Sequence, residues 1–357
     1  MSAAPVPLSA GSTEPPCAVH DVALLDLDGV VYVGPDAVPG VPRALAAART
    51  AGMRLGFVTN NAARTPEEVA GHLTALEVPA TAEDVITSSQ AAVTPGPPTG
   101  RTRAPAPNRW RTTVAAALRA AGLTLVHRAE DRPLAVVQGY GRDVGWVELA
   151  EAVVAVREGA EHVATNADAT VPSPRGPLPG NGALVGVVSA VTGRRPLVTG
   201  KPDPAMHAEC VRRTGARRPL VVGDRLDTDV EGGRRAGAAS LLVLSGVTDP
   251  AVLLAAGPQQ RPDLLAPDAG GLLTPHPPVV PEEAGWRCGS WTGRSEGGVL
   301  RLAWDRDVTA DPGDGLDGLR ALCVAHWAGS PEAAALARVL PADEAAAAAL
   351  HGWGLQS

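Results

Sequence analysis

Within residues 18–34, AVHDVALLDLDGVVYVG, apolar residues stand at consecutive rather than alternate positions, and the near-continuous run from Val22 ends in two acids, Asp26 and Asp28. A strand that is apolar on both faces has to be covered on both, which a parallel sheet wrapped by helices achieves. The chain is read as α/β. Alternation follows, with a helix over VPRALAAARTAG, a strand over MRLGFVTNN, a helix over TPEEVAGHLTAL capped by Thr65 with Pro66 in its first turn, and a strand over DVITS. It resumes with helix PDPAMHAECVRRTG, strand RPLVVGD, short helix DVEGGRRAGA, strand SLLVLSGV and helix DPAVLLAAG. The two blocks together describe one doubly wound, Rossmann-like parallel sheet.

The roughly 100 residues between the blocks are too many for a loop and make a domain of their own. Helix DVGWVELAEAVVAVREGA, strand EHVATNAD and helix GNGALVGVVSAVTG give this insert its own α/β pattern. Residues 93–113 depart from it, with Pro, Gly and Arg where a helix and an edge strand belong. They read either as an exposed irregular loop or as a local shift of reading frame. The expected organisation is a mobile, Pro- and Ser-rich leader over 1–18, a core over 19–89 and 197–273, and the insert over 90–196. A small α+β extension over 280–357 completes it, with strands around a Gly-rich turn in WRCGSWTGRSEGGVLRLAW and a helix in GLDGLRALCVAHWAGS.

Composition narrows the partners. A net charge of −7 lacks the basic footprint that holds a polyphosphate backbone, so nucleic acid is not expected. No apolar run of 18 or more residues occurs without Gly, Pro or charge, so no membrane span is expected either. Four dispersed cysteines, Cys17, Cys210, Cys288 and Cys323, form no CxxC pair and suit a reducing cytoplasm. Of the 31 Lys and Arg residues only Lys201 is a lysine. A chain that uses arginine everywhere else keeps a lysine where a compact ammonium is needed and a planar guanidinium does not fit.

Chemistry collects at strand ends. Asp26 and Asp28 end the first strand, Thr59, Asn60 and Asn61 the second, and Gly223 and Asp224 a later one, with Asp227 and Asp229 just beyond. In open parallel sheets ligands bind outside these carboxyl ends. Two carboxylates there repel unless a cation or a proton intervenes, and Mg²⁺ takes carboxylate, water and phosphate oxygens. Each piece also has a bland reading. DLDG alone is a solvated turn, Asn60–Asn61 an Asx turn, and Asp227 or Asp229 a helix cap.

Taken in order, DLDGVVY (26–32), VTNN (58–61), GKPDP (200–204) and GDRLDTD (223–229), with a long insert between the second and third, resemble the haloacid dehalogenase superfamily. The resemblance is to its IIA phosphatases of the NagD and 4-nitrophenylphosphatase type, and to actinobacterial glycerol 3-phosphate phosphatases with a C-terminal extension. It implies a Rossmann-like core, an inserted α/β cap and an aspartyl-phosphate route. Asp26 would be the nucleophile and Asp28 the general acid and base. Thr59, Asn60 through its backbone, and Lys201 would hold the phosphoryl group. Mg²⁺ would sit on the Asp26 carboxylate, the Asp28 carbonyl and Asp224, with Asp229 behind them.

In the cap segment 164–186, Arg175 and Asn181 would reach toward the leaving group. The implied partner is a small phosphorylated metabolite, with glycerol 3-phosphate first and phosphoglycolate, sugar phosphates and pyridoxal phosphate as alternatives. A second chain would join through the cap. A weakly catalytic regulatory or binding protein is the remaining alternative, and the tail tryptophans are expected to form a small core of their own.

Overall fold

A computed structural model describes residues 6–61, 64–93, 103–105, 113–141, 144–171, 175–176, 178–283, 285–308, 313–329 and 338–355. It parts into two compact units, Met1–Gly56 with Ala216–Ser357, and Phe57–Gly215. Among the described residues no helix is long and apolar enough to cross a membrane.

The first unit is built on four parallel strands. Val22–Leu25 pairs with Pro219–Gly223, which pairs with Ala239–Val243, which pairs with Leu264–Ala266. All four residues of Val22–Leu25 are buried, as an uninterrupted apolar run requires of a sheet covered on both faces. Asp21 ties two strand starts together, because its carboxylate accepts the Arg217 and Arg218 backbone N–H groups at 2.8 and 2.9 Å. Asp21 also accepts the Arg54 N–H through its carbonyl. From there the strand Arg54–Thr59 carries the chain into the second unit.

The C-terminal extension adds a five-stranded sheet in the order Val280–Glu282, Gly285–Cys288, Trp291–Glu296, Val299–Trp304, Arg338–Pro341. The first three pairings are antiparallel and the last is parallel. Gly297 and Gly298 form the hairpin turn with φ of +56° and +80°, a backbone open to glycine at both positions. The helix Asp317–Gly329 lies buried against this sheet.

Two expectations are corrected here. The tail tryptophans form no separate core. Trp327 is buried in one cluster with Leu242, Leu254 and Leu265 of the parallel half and Leu300, Leu302 and Leu322 of the extension. Periodicity shows that a helix has an apolar face but not which surface will cover it. The leader is not loose from residue 6 onward, since Leu8 is buried in the same cluster and Ser12 exchanges backbone hydrogen bonds with His276.

In the second unit, Phe57–Thr59 pairs in parallel with Val85–Thr87. The helix Pro66–Ala75 opens as its sequence predicts. Thr65 accepts the Glu68 N–H and Glu68 accepts the Thr65 N–H, a reciprocal capping box. A three-stranded parallel sheet, Leu197–Val198, Glu161–Ala164, Ala135–Gln138, is packed by helices Trp146–Arg157 and Asn181–Thr192. Within 93–113, Arg103–Pro105 forms a strand parallel to Thr124–Val126, and Thr113 opens the helix Thr113–Ala120. The reading of this segment as an irregular loop or a shifted frame is thus corrected in part, since it contains a strand and the start of a helix. Residues 94–102 and 106–112 lie outside the described residues.

Candidate active site

Asp26 and Asp224 meet because their strands are neighbours in register. Leu25 pairs with Val222, and the Asp26 N–H donates to the Val222 carbonyl at 2.9 Å. Asp26 and Asp224 thus leave the sheet from adjacent parallel ends. Asp229 joins them through a turn of π-helix over Leu226–Val230. The Arg225 N–H donates to its Oδ2 at 3.1 Å, which folds the side chain back over Gly223. A Cβ at Gly223 would overlap the Asp229 side chain, so only glycine allows this approach. One carboxylate oxygen from each of Asp26, Asp224 and Asp229 lies within 4.8 Å of the other two.

Asp224 is fully buried and held from several sides. Its Oδ2 accepts the Val247 N–H at 2.7 Å, and its carbonyl accepts the Thr248 N–H. Gly29 and Gly246 press so closely on that carboxylate that a Cβ at either would overlap it. Ser245 Oγ donates to the Gly29 carbonyl at 2.6 Å and fixes the turn that follows Asp28. Asp28 is exposed, with its N-terminal neighbour Leu27 buried beneath it. Asp227 is a surface acid in a 2.8 Å ion pair with Arg225.

The second unit carries the polar set. Thr59 is buried, and its Oγ1 accepts the Asn61 N–H at 3.0 Å, which leaves the hydroxyl proton for another acceptor. The turn offered above as the bland Asx alternative is thus closed by a threonine. Asn60 reaches across 141 positions to Lys201. Its Oδ1 accepts the Lys201 N–H at 2.8 Å and its Nδ2 donates to the Lys201 carbonyl at 3.1 Å. The Asn60 carbonyl accepts both Ser88 Oγ and Asn166 Nδ2, each at 2.8 Å.

The two cap candidates differ. Arg175 is exposed. Asn181 is 1% exposed and donates to the carbonyls of Asn166 and Gln138 at 2.9 and 3.3 Å, so its side chain holds cap backbone together. Ser88, Asn166 and the Ser245–Thr248 turn are contributors that sequence reading missed.

Three clustered acids, two of them buried, offer hard oxygen donors and a strong need for positive charge, which suits Mg²⁺ and excludes soft-metal chemistry. The chain belongs to the haloacid dehalogenase-like hydrolases, and within them to the phosphatases. Family models of that description match residues 23–95 and 198–272, and a GCN5-related N-acetyltransferase-like model matches 288–355.

A D-glycerol 3-phosphate phosphatase of Mycobacterium tuberculosis is 41% identical over 350 residues, covering 94% of each chain. A crystal structure of the Mycobacterium tuberculosis glycerol phosphate phosphatase with magnesium superposes with a TM-score of 0.84 at 40% identity, over 96% of this chain and 99% of that one. A 4-nitrophenylphosphatase of Thermotoga maritima superposes with a TM-score of 0.65 at 29% identity, over 72% of this chain and 98% of that one.

Proposed function

We propose that this phosphatase is a Mg²⁺-dependent glycerol 3-phosphate phosphomonoesterase working through an aspartyl phosphate. The observation that carries the chemistry is the convergence of the Asp26, Asp224 and Asp229 carboxylates at adjacent strand ends. The substrate rests on the Mycobacterium tuberculosis relative, whose similarity spans core, cap and extension alike.

An Asp26 carboxylate oxygen attacks phosphorus as the ester P–O bond breaks. Asp28 gives its proton to the departing alkoxide, which leaves as glycerol. The same Asp28 then takes a proton from water, whose oxygen attacks the acyl phosphate and releases inorganic phosphate and free Asp26. Asp28 is exposed, as a group that exchanges protons with both leaving group and water has to be. Thr59, the Asn60 N–H and Lys201 bind phosphoryl oxygens and oppose the charge that builds on them. The Asp26 and Asp224 carboxylates and the Asp28 carbonyl would hold Mg²⁺, with Asp229 behind them, and the ion would supply charge neutralisation and orient the ester for in-line attack.

The test is a panel of glycerol 3-phosphate, phosphoglycolate, glucose 6-phosphate and pyridoxal phosphate, each assayed with Mg²⁺ and with a chelator. Glycerol 3-phosphate is expected to lead by at least about tenfold in kcat/KM, a difference of about 1.4 kcal/mol in transition-state binding. Equal rates across the panel would remove the substrate assignment, and full activity in chelator would remove the metal.

Two settings complete the proposal. A cytoplasmic location is supported by four unpaired, buried cysteines, of which Cys210 is pushed up to about 12 by its burial. A homodimer through the cap is supported by large apolar side chains left in solvent on its helices, Trp146 at 81% exposure together with Val147, Val187 and Val191. Light scattering is expected to give twice the chain mass for the native protein and the single mass for Trp146→Glu. A native monomer at micromolar concentration would end the dimer assignment.

A further inference from the structure

We infer that the Asn60 side chain is a positioning residue for Lys201, and that a relay of three asparagines, Asn181 to Asn166 to Asn60, sets the lysine from within the cap. The role given to Lys201 rests on the phosphatase reading above. The relay itself rests on geometry.

A primary amide carries one acceptor and one donor a short distance apart, as a peptide group does. Asn60 uses both on a single residue, accepting from the Lys201 N–H at 2.8 Å and donating to the Lys201 carbonyl at 3.1 Å. The two bonds fix the peptide planes on either side of the Lys201 Cα, so the reach of the ammonium depends on the side-chain rotamers alone. Aspartate cannot replace this amide, because it keeps the acceptor and loses the donor. Gly200 makes room for it, since a Cβ there would come within 2.7 Å of Asn60 Oδ1.

Asn60 is itself held. Its carbonyl accepts Ser88 Oγ and Asn166 Nδ2, both at 2.8 Å, which occupies both lone pairs. Ser88 and Asn166 are almost fully buried, so water competes poorly for these bonds. Asn166 is anchored in turn by Asn181 Nδ2 on its carbonyl at 2.9 Å. Asn181 is the first residue of the cap helix Asn181–Thr192, so each link joins a different segment of the chain. Flexible side chains that act on a phosphoryl group need their backbone fixed, and displacement of about 1 Å costs on the order of 100-fold in rate. The relay supplies that fixity to a lysine that stands in a loop before its helix.

Lys201 is the only lysine in 357 residues, which makes the test direct. An amine reagent such as trinitrobenzenesulfonate has a single side-chain target, separable from the α-amine by peptide mass mapping. Labelling rates of Lys201 against pH, steady-state kinetics and Mg²⁺ affinity by calorimetry are measured for the native protein, Asn60→Asp, Asn60→Leu and Asn166→Ala. The expected result for Asn60→Asp is a loss of about 10- to 100-fold in kcat/KM. The pH midpoint or plateau rate of Lys201 labelling shifts with it, and Mg²⁺ affinity is kept.

Asn166→Ala is expected to move the same readouts in the same direction by less, and it decides the matter should an Asn60 variant fail to fold. Falling activity with an unchanged Lys201 labelling profile would overturn the inference and make the Asn60 amide a substrate contact. Unchanged activity and labelling would overturn it too. Should the native protein prove inactive on phosphate esters, the phosphatase reading fails while the labelling profiles still decide the relay.

Discussion

Asp26→Asn loses at least about a thousandfold in kcat on 4-nitrophenyl phosphate, and no acid-stable phosphoenzyme is trapped from it. The substitution is nearly isosteric and leaves the Asp26 N–H bond to the Val222 carbonyl in place, so the loss belongs to chemistry and not to folding. Its effect on stability has the opposite sign. Three carboxylates whose oxygens approach within 4.8 Å repel one another in the metal-free protein, and removing one charge relieves part of that strain.

Metal-free Asp26→Asn therefore melts at a higher temperature than the metal-free native protein, and Mg²⁺ raises its melting temperature by less. Thermal melts with Mg²⁺ and with chelator check both statements alongside the kinetics. Native-like turnover in the variant would end the nucleophile assignment. An equal Mg²⁺ shift in both proteins would place the cation elsewhere.

What sequence revealed and what it concealed follow one physical division. The strand ends were legible because a buried parallel strand is written in consecutive residues, VALL before Asp26 and LVVG before Asp224, and the acids follow directly. The Thr65 cap was legible for the same local reason. Lys201 stood out through composition alone.

Asn60 was expected to act through its backbone, with a local Asx turn as the bland alternative for its side chain, whereas that side chain binds a residue 141 positions away. The resemblance points Asn181 toward the leaving group, and its burial and its bonds to two cap carbonyls are not written in the residues around it. The placement of Asp229 with Asp26 and Asp224, and of Asp227 in solvent, depends on the extra residue in a turn of π-helix. No periodicity in GDRLDTD announces that turn.

The extension was legible as a fold but not as a structural necessity, and Arg320 shows why it is one. This guanidinium is 2% exposed, donates to Asp314 Oδ1 at 2.7 Å and to Asp317 Oδ1 at 2.9 Å, and donates also to the carbonyl of Leu265. Leu265 belongs to the parallel strand Leu264–Ala266, so one side chain neutralises the buried Asp317 and the exposed Asp314 of the extension and satisfies a backbone acceptor of the core.

Arg320→Met keeps the apolar stem and deletes the charge. The expected cost is about 3 kcal/mol at pH 7, read as a lower urea midpoint, because the broken pair leaves the buried Asp317 uncompensated while solvent screens Asp314. The triple variant Arg320→Met, Asp314→Asn, Asp317→Asn is expected to recover much of it.

The pH dependence gives the sign. In the native protein burial pushes Asp314 up, but its bonds with Arg320 win and hold it below the ordinary value. Its contribution is present above the unfolded carboxylate pKa and is lost as pH falls through the lower folded one. Asp317 is pushed up by burial even beside Arg320. Without Arg320 both carboxyls are raised, so acid neutralises them in the folded state before the unfolded one. The deficit of Arg320→Met is therefore largest at neutral pH and shrinks as pH falls toward about 4. A deficit that stayed constant across that range would show that lost packing, and not uncompensated charge, ties the extension to the core.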